Sequence, residues 1–598
     1  MNDTRPAGWA PIGDYGVVGD GRTVALIAAD GRIDWLPLPD LDAPPVFAAL
    51  LDRTAGGCLE LRPSEAFTVH RRYVDDTNVL ETTFTTATGS VRLTDALAVG
   101  PTGPLPWTEL IRRVEGITGE VDLRWAVRPG SRFDTAEPWV ELRRDVPLVH
   151  CGDQHMALLC FGIGDPVMDP HAVTGHVRVG PGRQAVLALV SSDSAPVYLP
   201  DRDQVLDHLD ATLRFWRDWS RRVSYDGRWS AAVRRSALAL KLLQYRPTGA
   251  LAAAATTSLP ERIGGARNWD YRYMWVRDAA YTVDAMLRLH LHEDVHAAVT
   301  FLLRCTARTA PDLRVFYTVR GAAPEAQQSL NADGYRRSRP VRSGNAAATQ
   351  TQLGTFGDLF DSVWRYVSAG HVLDPATGRM LADLADRCCD LWRTEDSGLW
   401  ELNTHRHYTV SKMGCWVALD RAVRLYDAGD IPVRHPQRWR AERDAIRAWV
   451  NEHCWSPRKR SYSFFAGTDD LDAATLLAGQ TGFDTGERLS GTVAAVRREL
   501  AEGPLIYRYT GMRTAEGAFL ACSFWLASAL VVLGRRAEAI AQMDATVALV
   551  GDLGLLAEEM DPRDQSMLGN IPQALSHLAL INAAHAVQRC GESPRTSG

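Results

Sequence analysis

Lysine is almost missing from this 598-residue chain, since it occurs only at positions 241, 412 and 459 and arginine supplies the remaining positive charge. The formal net charge of −6 is small for this length, which argues against a surface that binds nucleic acid or another polyanion. The chain also lacks any run of about 18 uninterrupted apolar residues, and residues 1–6 contain no basic stretch followed by an apolar one. These absences predict a cytoplasmic protein without a membrane segment that acts on a neutral or small ligand.

Paired cysteine motifs are absent as well. The ten cysteines are scattered among apolar neighbours, so buried thiols are expected rather than disulfides or a zinc site. The adjacent Cys388 and Cys389 are expected to pack within a helix. His290, His292 and His296 lie close in sequence, but no HExxH motif accompanies them, and a metal site is therefore not predicted.

Signatures of other enzyme classes are missing too. Gly19-Asp20-Gly21 lacks the rest of a dinucleotide fingerprint, and the chain contains neither a Walker loop nor a GxSxG elbow. Nucleotide-dependent and acyl-transfer functions are therefore excluded.

The hydrophobic period changes once along the chain, which is too long for one hydrophobic core. Up to about residue 200, short β-rich runs such as 79–86 and 121–127 alternate with turns, and Asp30-Gly31 predicts a type I′ hairpin. We therefore predict an antiparallel β-sandwich in residues 1–202 and a helical linker in 203–228. About twelve amphipathic stretches in 229–592, without a solenoid repeat, predict a helical domain.

Three segments carry the chemistry. Glu401 closes the run 396–401 (DSGLWE), and Glu558 and Glu559 lie in 554–562 (GLLAEEMDP). The third, 267–278 (RNWDYRYMWVRD), sets four aromatic rings among charges and amides. Flat rings suit the apolar faces of a pyranose, and hydrolysis of a glycosidic bond needs one carboxylic acid and one carboxylate. The segments together predict a sugar pocket with candidate catalytic carboxyls.

The same segments resemble the signature regions of glycoside hydrolase family 15, the family of glucoamylases and bacterial trehalases. The resemblance extends from 12–16 (IGDYG) to 570–578 (NIPQALSHL), with the motifs in the family's order. It implies that the helical domain is an (α/α)6 barrel, six inner and six outer helices, with the active site in loops at one end.

The resemblance implies a role for each acidic residue. Glu401 matches the general acid, and burial beside Trp400, itself a candidate substrate contact, would raise its pKa in the required direction; the alternative is a surface glutamate. Glu558 matches the base that activates water, and Glu559 would assist it or contact substrate. The family mechanism is inverting, with the two carboxyls roughly 6.5 to 9.5 Å apart.

Substrate contacts are implied in the same way. Arg277 and Asp278 would hold the distal hydroxyls of the terminal glucose, so that only a chain end enters, and Asp278 could also cap the next helix. Tyr271 and Trp275 would line the pocket wall, unless they are core residues.

Two cations are further candidate contacts. Arg508 would bind a hydroxyl, unless it is a surface strand arginine. Lys412, which follows Ser411 in a Ser-Lys pair that matches the family, would contact substrate, and a structural salt bridge is the alternative.

Two positions depart from the family pattern. Asn403 stands two residues after the general acid, where many bacterial members carry arginine, and Asp40 replaces another arginine near the N-terminus. The glucose subsite is thus predicted to be intact and the partner-sugar subsite changed, with His405 and His407 as candidate contacts there.

The sequence therefore predicts an inverting, exo-acting hydrolase that releases glucose from the non-reducing end of a small α-glucoside, with trehalose favoured. Malto-oligosaccharides (glucoamylase activity) and α-1,6-linked isomalto-oligosaccharides are alternatives within the class. A catalytically silent glucan-binding or sensory protein is the alternative of another class, against which the presence of both Glu401 and Glu558 argues. These residues require no metal or other cofactor; some resembling trehalases depend on phosphate and magnesium, and no residue here selects for either.

Overall fold

The computed structural model describes residues 8–193, 196–432 and 435–590. The sequence predictions for residues 1–7 and 591–592 lie outside the described residues. Along the described chain an antiparallel β-sandwich precedes a helical barrel, as predicted.

The β-sandwich consists of two antiparallel sheets. In the described residues its strands are β1 Gly16–Gly19, β2 Val24–Ile27, β3 Ile33–Pro37, β4 Pro45–Phe47, β5 Cys58–Pro63, β6 Phe67–Tyr73, β7 Leu80–Thr86, β8 Gly89–Leu97, β9 Thr108–Gly119, β10 Val121–Arg128, β11 Trp139–Arg143, β12 Val146–Cys151, β13 Gln154–Phe161, β14 Val167–Asp169, β15 Ala172–Val179 and β16 Gln184–Ser192. One sheet has the order β1-β2-β3-β5-β10-β15-β14, with β4 paired to β3, and the other has the order β11-β12-β13-β16-β9-β8-β7-β6.

Strand β16 shows how the sandwich joins the barrel. Leu187 and Leu189 belong to the core between the two sheets, whereas Val186, Ala188 and Val190 belong to the core that the sheet shares with the helices. Because successive side chains of a strand point to opposite faces, a strand buried on both faces must be apolar throughout. The second sheet therefore packs against the first sheet on one face and against the helices on the other.

The predicted hairpin at Asp30-Gly31 forms between β2 and β3, but its turn type differs. Gly31 has a φ of +80° and donates its N–H to the Ala28 carbonyl, whereas Asp30 keeps a negative φ. A type I′ turn needs a positive φ at both central residues. The strand register shifts between Leu26 and Ile27 instead, so the prediction of a type I′ turn is wrong.

A long helix leads from the sandwich into the barrel, as predicted. Helix α1, Arg202–Ser220, begins with a capping box in which the Asp201 side chain accepts from the Gln204 N–H and the Gln204 side chain accepts from the Asp201 N–H.

Twelve further helices in the described residues form the barrel. They are α2 Ser230–Leu243, α3 Val276–Arg288, α4 His292–Thr309, α5 Gly354–Ser368, α6 Pro375–Leu391, α7 Thr409–Asp427, α8 Pro436–His453, α9 Leu477–Thr481, α10 Glu487–Glu499, α11 Leu520–Val532, α12 Arg536–Val547 and α13 Ala574–Arg589. The odd-numbered helices from α3 to α13 form an inner ring, which closes between α7 and α9 through the 3-10 turn Ala473–Leu476, and the even-numbered helices pack outside them. This alternation is the (α/α)6 barrel.

Burial separates the two rings. Inner helix α11 is apolar apart from Ser523 and Ser528 and is buried from Leu520 to Leu530, whereas outer helix α8 buries only Trp439, Ile446 and Val450. A helix that is packed on all sides is apolar all round, whereas an outer helix has a polar face because that face is in contact with water. No helix of the described residues combines the length and apolarity needed to cross a bilayer. The ten cysteines are unpaired, and Cys388 and Cys389 lie in α6 as predicted.

The barrel loops also contain short strands that the sequence did not predict. They are β17 Gln244–Tyr245, β18 Ala250–Leu251, β19 Thr257–Pro260, β20 Asn268–Asp270, β21 Met274–Trp275, β22 Phe316–Tyr317, β23 Gln328–Leu330, β24 Val341–Ser343, β25 Trp455–Ser456, β26 Ser461–Tyr462, β27 Ala501–Glu502, β28 Leu505–Ile506, β29 Ala518–Phe519, β30 Glu559–Met560 and β31 Met567–Leu568. Strands of two to four residues are too short for a period-2 pattern. Their pairing fixes the loops that carry the motifs.

Candidate active site

Glu401 lies in the loop between α6 and α7. Its φ of +60° is a left-handed conformation that costs a non-glycine residue on the order of 1–3 kcal/mol. The loop is held there because the Leu402 N–H donates to the Ser397 carbonyl at 2.9 Å and Gln350 Nε2 donates to the Glu401 carbonyl at 3.0 Å. The side chain of Glu401 points towards Trp275, whose Nε1 donates to Glu401 Oε1 at 2.7 Å.

The surroundings of Glu401 favour a protonated carboxyl. Burial raises its pKa, and the Arg277 guanidinium and the Trp275 N–H oppose that shift. Trp400, predicted to shield the carboxyl, is 9% exposed, and its Nε1 donates to Asp472 Oδ1 at 2.9 Å.

Glu558 lies in the loop between α12 and α13 and is 2% exposed. Its carbonyl accepts from the Leu520 N–H at the start of α11. Gly569 passes so close that a Cβ there would lie 2.7 Å from Glu558 Cβ, and its φ of +73° also requires glycine. Burial and the Glu261 carboxylate raise the pKa of Glu558 to about 8, opposed by Arg508 and by a hydrogen bond with the Tyr271 hydroxyl.

The two glutamates line one cavity of about 300 Å³. Its walls come from the three motif segments and from loops between them. The aromatic members are Trp269, Tyr271, Trp275, Trp400, Tyr509 and Phe519, and the polar members include Glu261, Arg267, Arg277, Asn345, Gln350, Glu401, Asn403, Arg508, Glu558 and Gln573. Aromatic rings beside convergent polar groups are the surroundings that a sugar ligand needs.

Arg277 forms part of the cavity wall, but Asp278 does not. Arg277 Nε donates to Asp278 Oδ1 at 2.9 Å, and its Nη1 donates to the Leu399 carbonyl and lies 3.7 Å from Glu401 Oε1. Asp278 is 1% exposed and is absent from the cavity lining. Asp278 orients Arg277, and its Oδ2 has no hydrogen-bond partner among the described residues, so its contact with the sugar stays a prediction.

Asp278 also differs from its predicted capping role. The residue before α3 is Trp275, and Asp278 lies in the first turn of the helix without making a capping hydrogen bond.

Arg508 lies where the cavity meets a buried acidic cluster. Its guanidinium forms ion pairs with Glu516 and with Glu261 Oε2 at 2.9 Å, and it lies 3.8 Å from Glu559 Oε1. Arg508 lines the cavity as predicted and is not a surface residue. Glu261, Glu516 and Glu559 form the group of carboxylates in the described residues that is close enough to ligate a metal, but two guanidiniums, Arg508 and Arg267, already pair with it. The histidines at 290, 292 and 296 form no such group in that part of the chain.

Glu559 faces away from the cavity. It is fully buried, its Oε2 accepts from the Gly517 N–H at 2.9 Å, and it is absent from the cavity lining. Burial and the neighbouring Glu516 raise its pKa well above the usual range. The prediction of a substrate contact at Glu559 is therefore wrong.

Lys412 is also outside the cavity. Its Nζ donates to the carbonyls of Trp392, at 2.6 Å, and Thr394, at 2.5 Å. Lys412 lies in the first turn of α7 and meets the open carbonyls that follow the end of α6. Both the predicted substrate contact and the alternative salt bridge are wrong, because its partners are backbone oxygens.

The predicted partner-sugar contacts are divided. Asn403 lines the cavity, whereas Asp40 is 4% exposed and pairs with Arg22 and Arg320. His405 is exposed outside the lining, and His407 borders a separate, smaller cavity. Of these four positions, Asn403 is the one that reaches the site.

Several cavity residues escaped the sequence analysis. Trp269 and Tyr509 stand inside motifs that were recognised, and their aromatic character was the available signal. Glu261, Gln350 and Gln573 come from segments without a local signature of binding, and only the fold brings them to the cavity.

Comparison with known proteins finds relatives of both parts of the chain. A model of the glycosyl hydrolases family 15 matches residues 227–549, and a trehalase-like N-terminal model matches residues 7–194. A trehalase of Mycolicibacterium smegmatis is 34% identical over 98% of this chain and 93% of its own, and a trehalase of Thermoplasma volcanium is 31% identical over 98% and 94%. A bacterial glucoamylase complexed with acarbose superposes with a TM-score of 0.72 at 11% identity, over 97% of this chain and 94% of its own, which shows a shared fold.

Proposed function

The chain belongs to the glycosyl hydrolases family 15, and from this membership we propose that it is an inverting, exo-acting glycosidase that releases glucose from the non-reducing end of a small α-glucoside, with trehalose preferred. The observation that carries the proposal is that Glu401, which accepts from Trp275 Nε1 at 2.7 Å, and the buried Glu558 line one cavity.

The proposed chemistry divides between the two carboxyls. Glu401 donates its proton to the glycosidic oxygen as the bond to the anomeric carbon breaks. Glu558 accepts a proton from the water that attacks that carbon from the opposite face, which inverts its configuration. The Trp275 N–H, 2.7 Å from Glu401 Oε1, and the Arg277 guanidinium stabilise the carboxylate that Glu401 becomes.

The exo-action is supported by the wall that Arg277 forms. Its guanidinium is held by Asp278 and by the Leu399 carbonyl, so it cannot swing away without breaking buried hydrogen bonds. A fixed donor at the end of the cavity suits the terminal hydroxyls of a chain end. A second cavity of about 90 Å³ lies behind Arg277 and Leu399 and contains neither Glu401 nor Glu558.

The proposed mechanism requires that Glu401 and Glu558 together carry one proton, which Glu401 donates. Activity is lost on the acidic side when the pair binds a second proton and on the alkaline side when it loses the first, so the two limits belong to the pair. Because burial raises the pKa of Glu558 to about 8 and also raises that of Glu401, we expect a bell-shaped kcat/KM profile with its alkaline limb near pH 8. A profile that falls steadily above pH 5 would contradict it.

The preference for trehalose rests on relatives that are named trehalase. This chain matches them along nearly their whole length. The test is glucose release from trehalose, maltose, isomaltose and soluble starch, measured side by side. The highest kcat/KM is expected for trehalose, and a higher value for maltose or isomaltose would move the assignment to those substrates.

The inverting mechanism has its own test. Proton NMR in the first minutes of hydrolysis should show β-glucose before mutarotation mixes the anomers. If α-glucose is formed first, the enzyme retains configuration and the proposed roles fail.

A further inference from the structure

Gln573 is the residue that precedes α13, and its side chain caps that helix. Gln573 Oε1 accepts from the Ser576 N–H at 2.8 Å and lies 2.8 Å from Ser576 Oγ. A backbone N–H can only donate, so the amide atom that faces it must be the oxygen. The cap therefore fixes the orientation of the amide group.

The amide nitrogen is left facing the cavity. Gln573 is 3% exposed and lines the same cavity as Glu558. Among the described residues none accepts a hydrogen bond from Gln573 Nε2, although its Oε1 is fully used. Because Nε2 is accessible from the cavity and makes no hydrogen bond to a described residue, it is free to donate to a ligand oxygen.

The donor is rigidly connected to the loop of the base. The Gln573 N–H donates to the Leu556 carbonyl at 2.8 Å, and Ser576 Oγ donates to the Ala557 carbonyl at 2.9 Å. His577 Nε2 accepts from the Leu556 N–H at 3.1 Å. The start of α13 thus holds the residues just before Glu558, and the amide of Gln573 and the carboxyl of Glu558 keep a constant relation.

We propose that Gln573 is a substrate-binding residue that donates from Nε2 to a hydroxyl of the glucose unit held against Glu558. This inference rests on the proposed function. A neutral amide suits the task because it binds a hydroxyl oxygen without adding a charge beside a carboxyl that must titrate.

Two substitutions separate the donor from the cap. Gln573→Glu keeps a carboxyl oxygen for the Ser576 N–H but removes the donor, and Gln573→Met removes both while adding no charge. Both variants should raise the dissociation constant for glucose about five- to tenfold, as expected for one lost hydrogen bond. Binding is measured by titrating tryptophan fluorescence, since Trp275 and Trp400 line the cavity. The melting temperature should fall in the Met variant and stay near wild type in the Glu variant.

Gln542→Met is the matched control. Gln542 lies in α12 outside the cavity, and its Nε2 already donates to the Pro504 carbonyl, so glucose affinity should not change. The proposal is overturned if both Gln573 variants bind glucose within twofold of wild type, or if they lower kcat on trehalose while glucose affinity and KM stay unchanged, since the donor then serves the attacking water.

The same experiment separates this inference from the proposed function. A wild-type protein that binds glucose but hydrolyses no α-glucoside would refute the proposed function, while the affinity comparison would still decide the role of Gln573. A wild-type protein that binds no glucose would overturn both.

Discussion

Glu558 and Glu559 are adjacent in sequence, but replacement by glutamine is expected to affect activity very differently at the two positions. Glu558 lines the cavity, whereas the carboxyl of Glu559 faces the Gly517 N–H and the Arg508 guanidinium. Glutamine has the shape of a protonated glutamic acid but cannot take up a proton. We therefore expect Glu558→Gln to abolish most activity and Glu559→Gln to be nearly silent.

The size of each effect follows from the surroundings. Loss of general-base assistance at Glu558 should lower kcat about 10² to 10⁴-fold, which corresponds to roughly 2.7–5.4 kcal/mol of activation free energy. Burial and Glu516 raise the pKa of Glu559, which favours its neutral form, and glutamine has the shape of that form. We expect kcat of Glu559→Gln to stay within about threefold of wild type, since no group that touches substrate changes.

Stability gives a second measurement for Glu559. A carboxyl whose pKa is raised on folding favours the folded state below its unfolded pKa of about 4.3, and that contribution is lost as pH rises towards the folded pKa. Glu559→Gln removes this dependence. Its unfolding midpoint in guanidinium should therefore match wild type near pH 4 and exceed it increasingly up to pH 8.

Initial rates of glucose release and denaturant midpoints check both variants. The reasoning fails if Glu559→Gln lowers kcat a hundredfold, or if Glu558→Gln keeps more than a tenth of wild-type kcat. Either result would show that the wrong neighbour was assigned as the base.

Three further substitutions, one of them with a control, test other parts of the protein. Trp275→Phe removes the N–H that stabilises the Glu401 carboxylate. The activation free energy should rise by roughly 1.5–3 kcal/mol, so that kcat falls about ten- to a hundredfold in the same rate assay. Arg272→Met leaves a buried carboxylate without its ion-pair partner, and urea unfolding should show a loss of about 3–5 kcal/mol, whereas Arg563→Met at an exposed ion pair should leave the unfolding midpoint unchanged. Asn403→Arg adds a cationic donor at the exposed side of the cavity and should change the trehalose-to-isomaltose ratio of kcat/KM about two- to tenfold, at the roughly 0.5–1.5 kcal/mol of one hydrogen bond, and equal effects on both sugars would contradict that role.

The sequence predicted the two-unit fold and the convergence of distant motifs. Long hydrophobic patterns and the order of motifs can be recognised in a sequence without knowing how the side chains pack. Side-chain direction was less predictable. Glu559 begins strand β30, where successive side chains point to opposite faces, so only one of the two adjacent glutamates can face the cavity. The two-residue length of β30 hid that constraint from the sequence.

Lys412 and Glu261 show the other limit of sequence reasoning. Lys412 matched a motif, yet its direction depends on where α6 ends, which is a relation between two helices. Glu261 matched no motif, yet it accepts from Trp269 Nε1 at 2.9 Å and from Arg508 at 2.9 Å. Residues whose roles depend on long-range partners carry no local signal.

The β-sandwich contacts the segments next to the cavity, but its described residues do not line it. Within the described residues, every residue that lines the cavity belongs to the barrel. Nevertheless, Arg272 in the motif 267–278 pairs with Asp270 and also donates to the Ala43 carbonyl at 2.8 Å, and Trp35 Nε1 donates to the Ala255 carbonyl at 3.0 Å.

These bonds connect the sandwich to the loop that carries Tyr271 and Trp275, which line the cavity together with the two candidate carboxyls. We expect a displacement of the sandwich of about 1 Å to be transmitted through a buried ion pair to both candidate carboxyls, and misplacement on that scale can cost about a hundredfold in rate. The precision of the active site therefore depends on a domain that contributes no residue to the cavity in the described part of the chain.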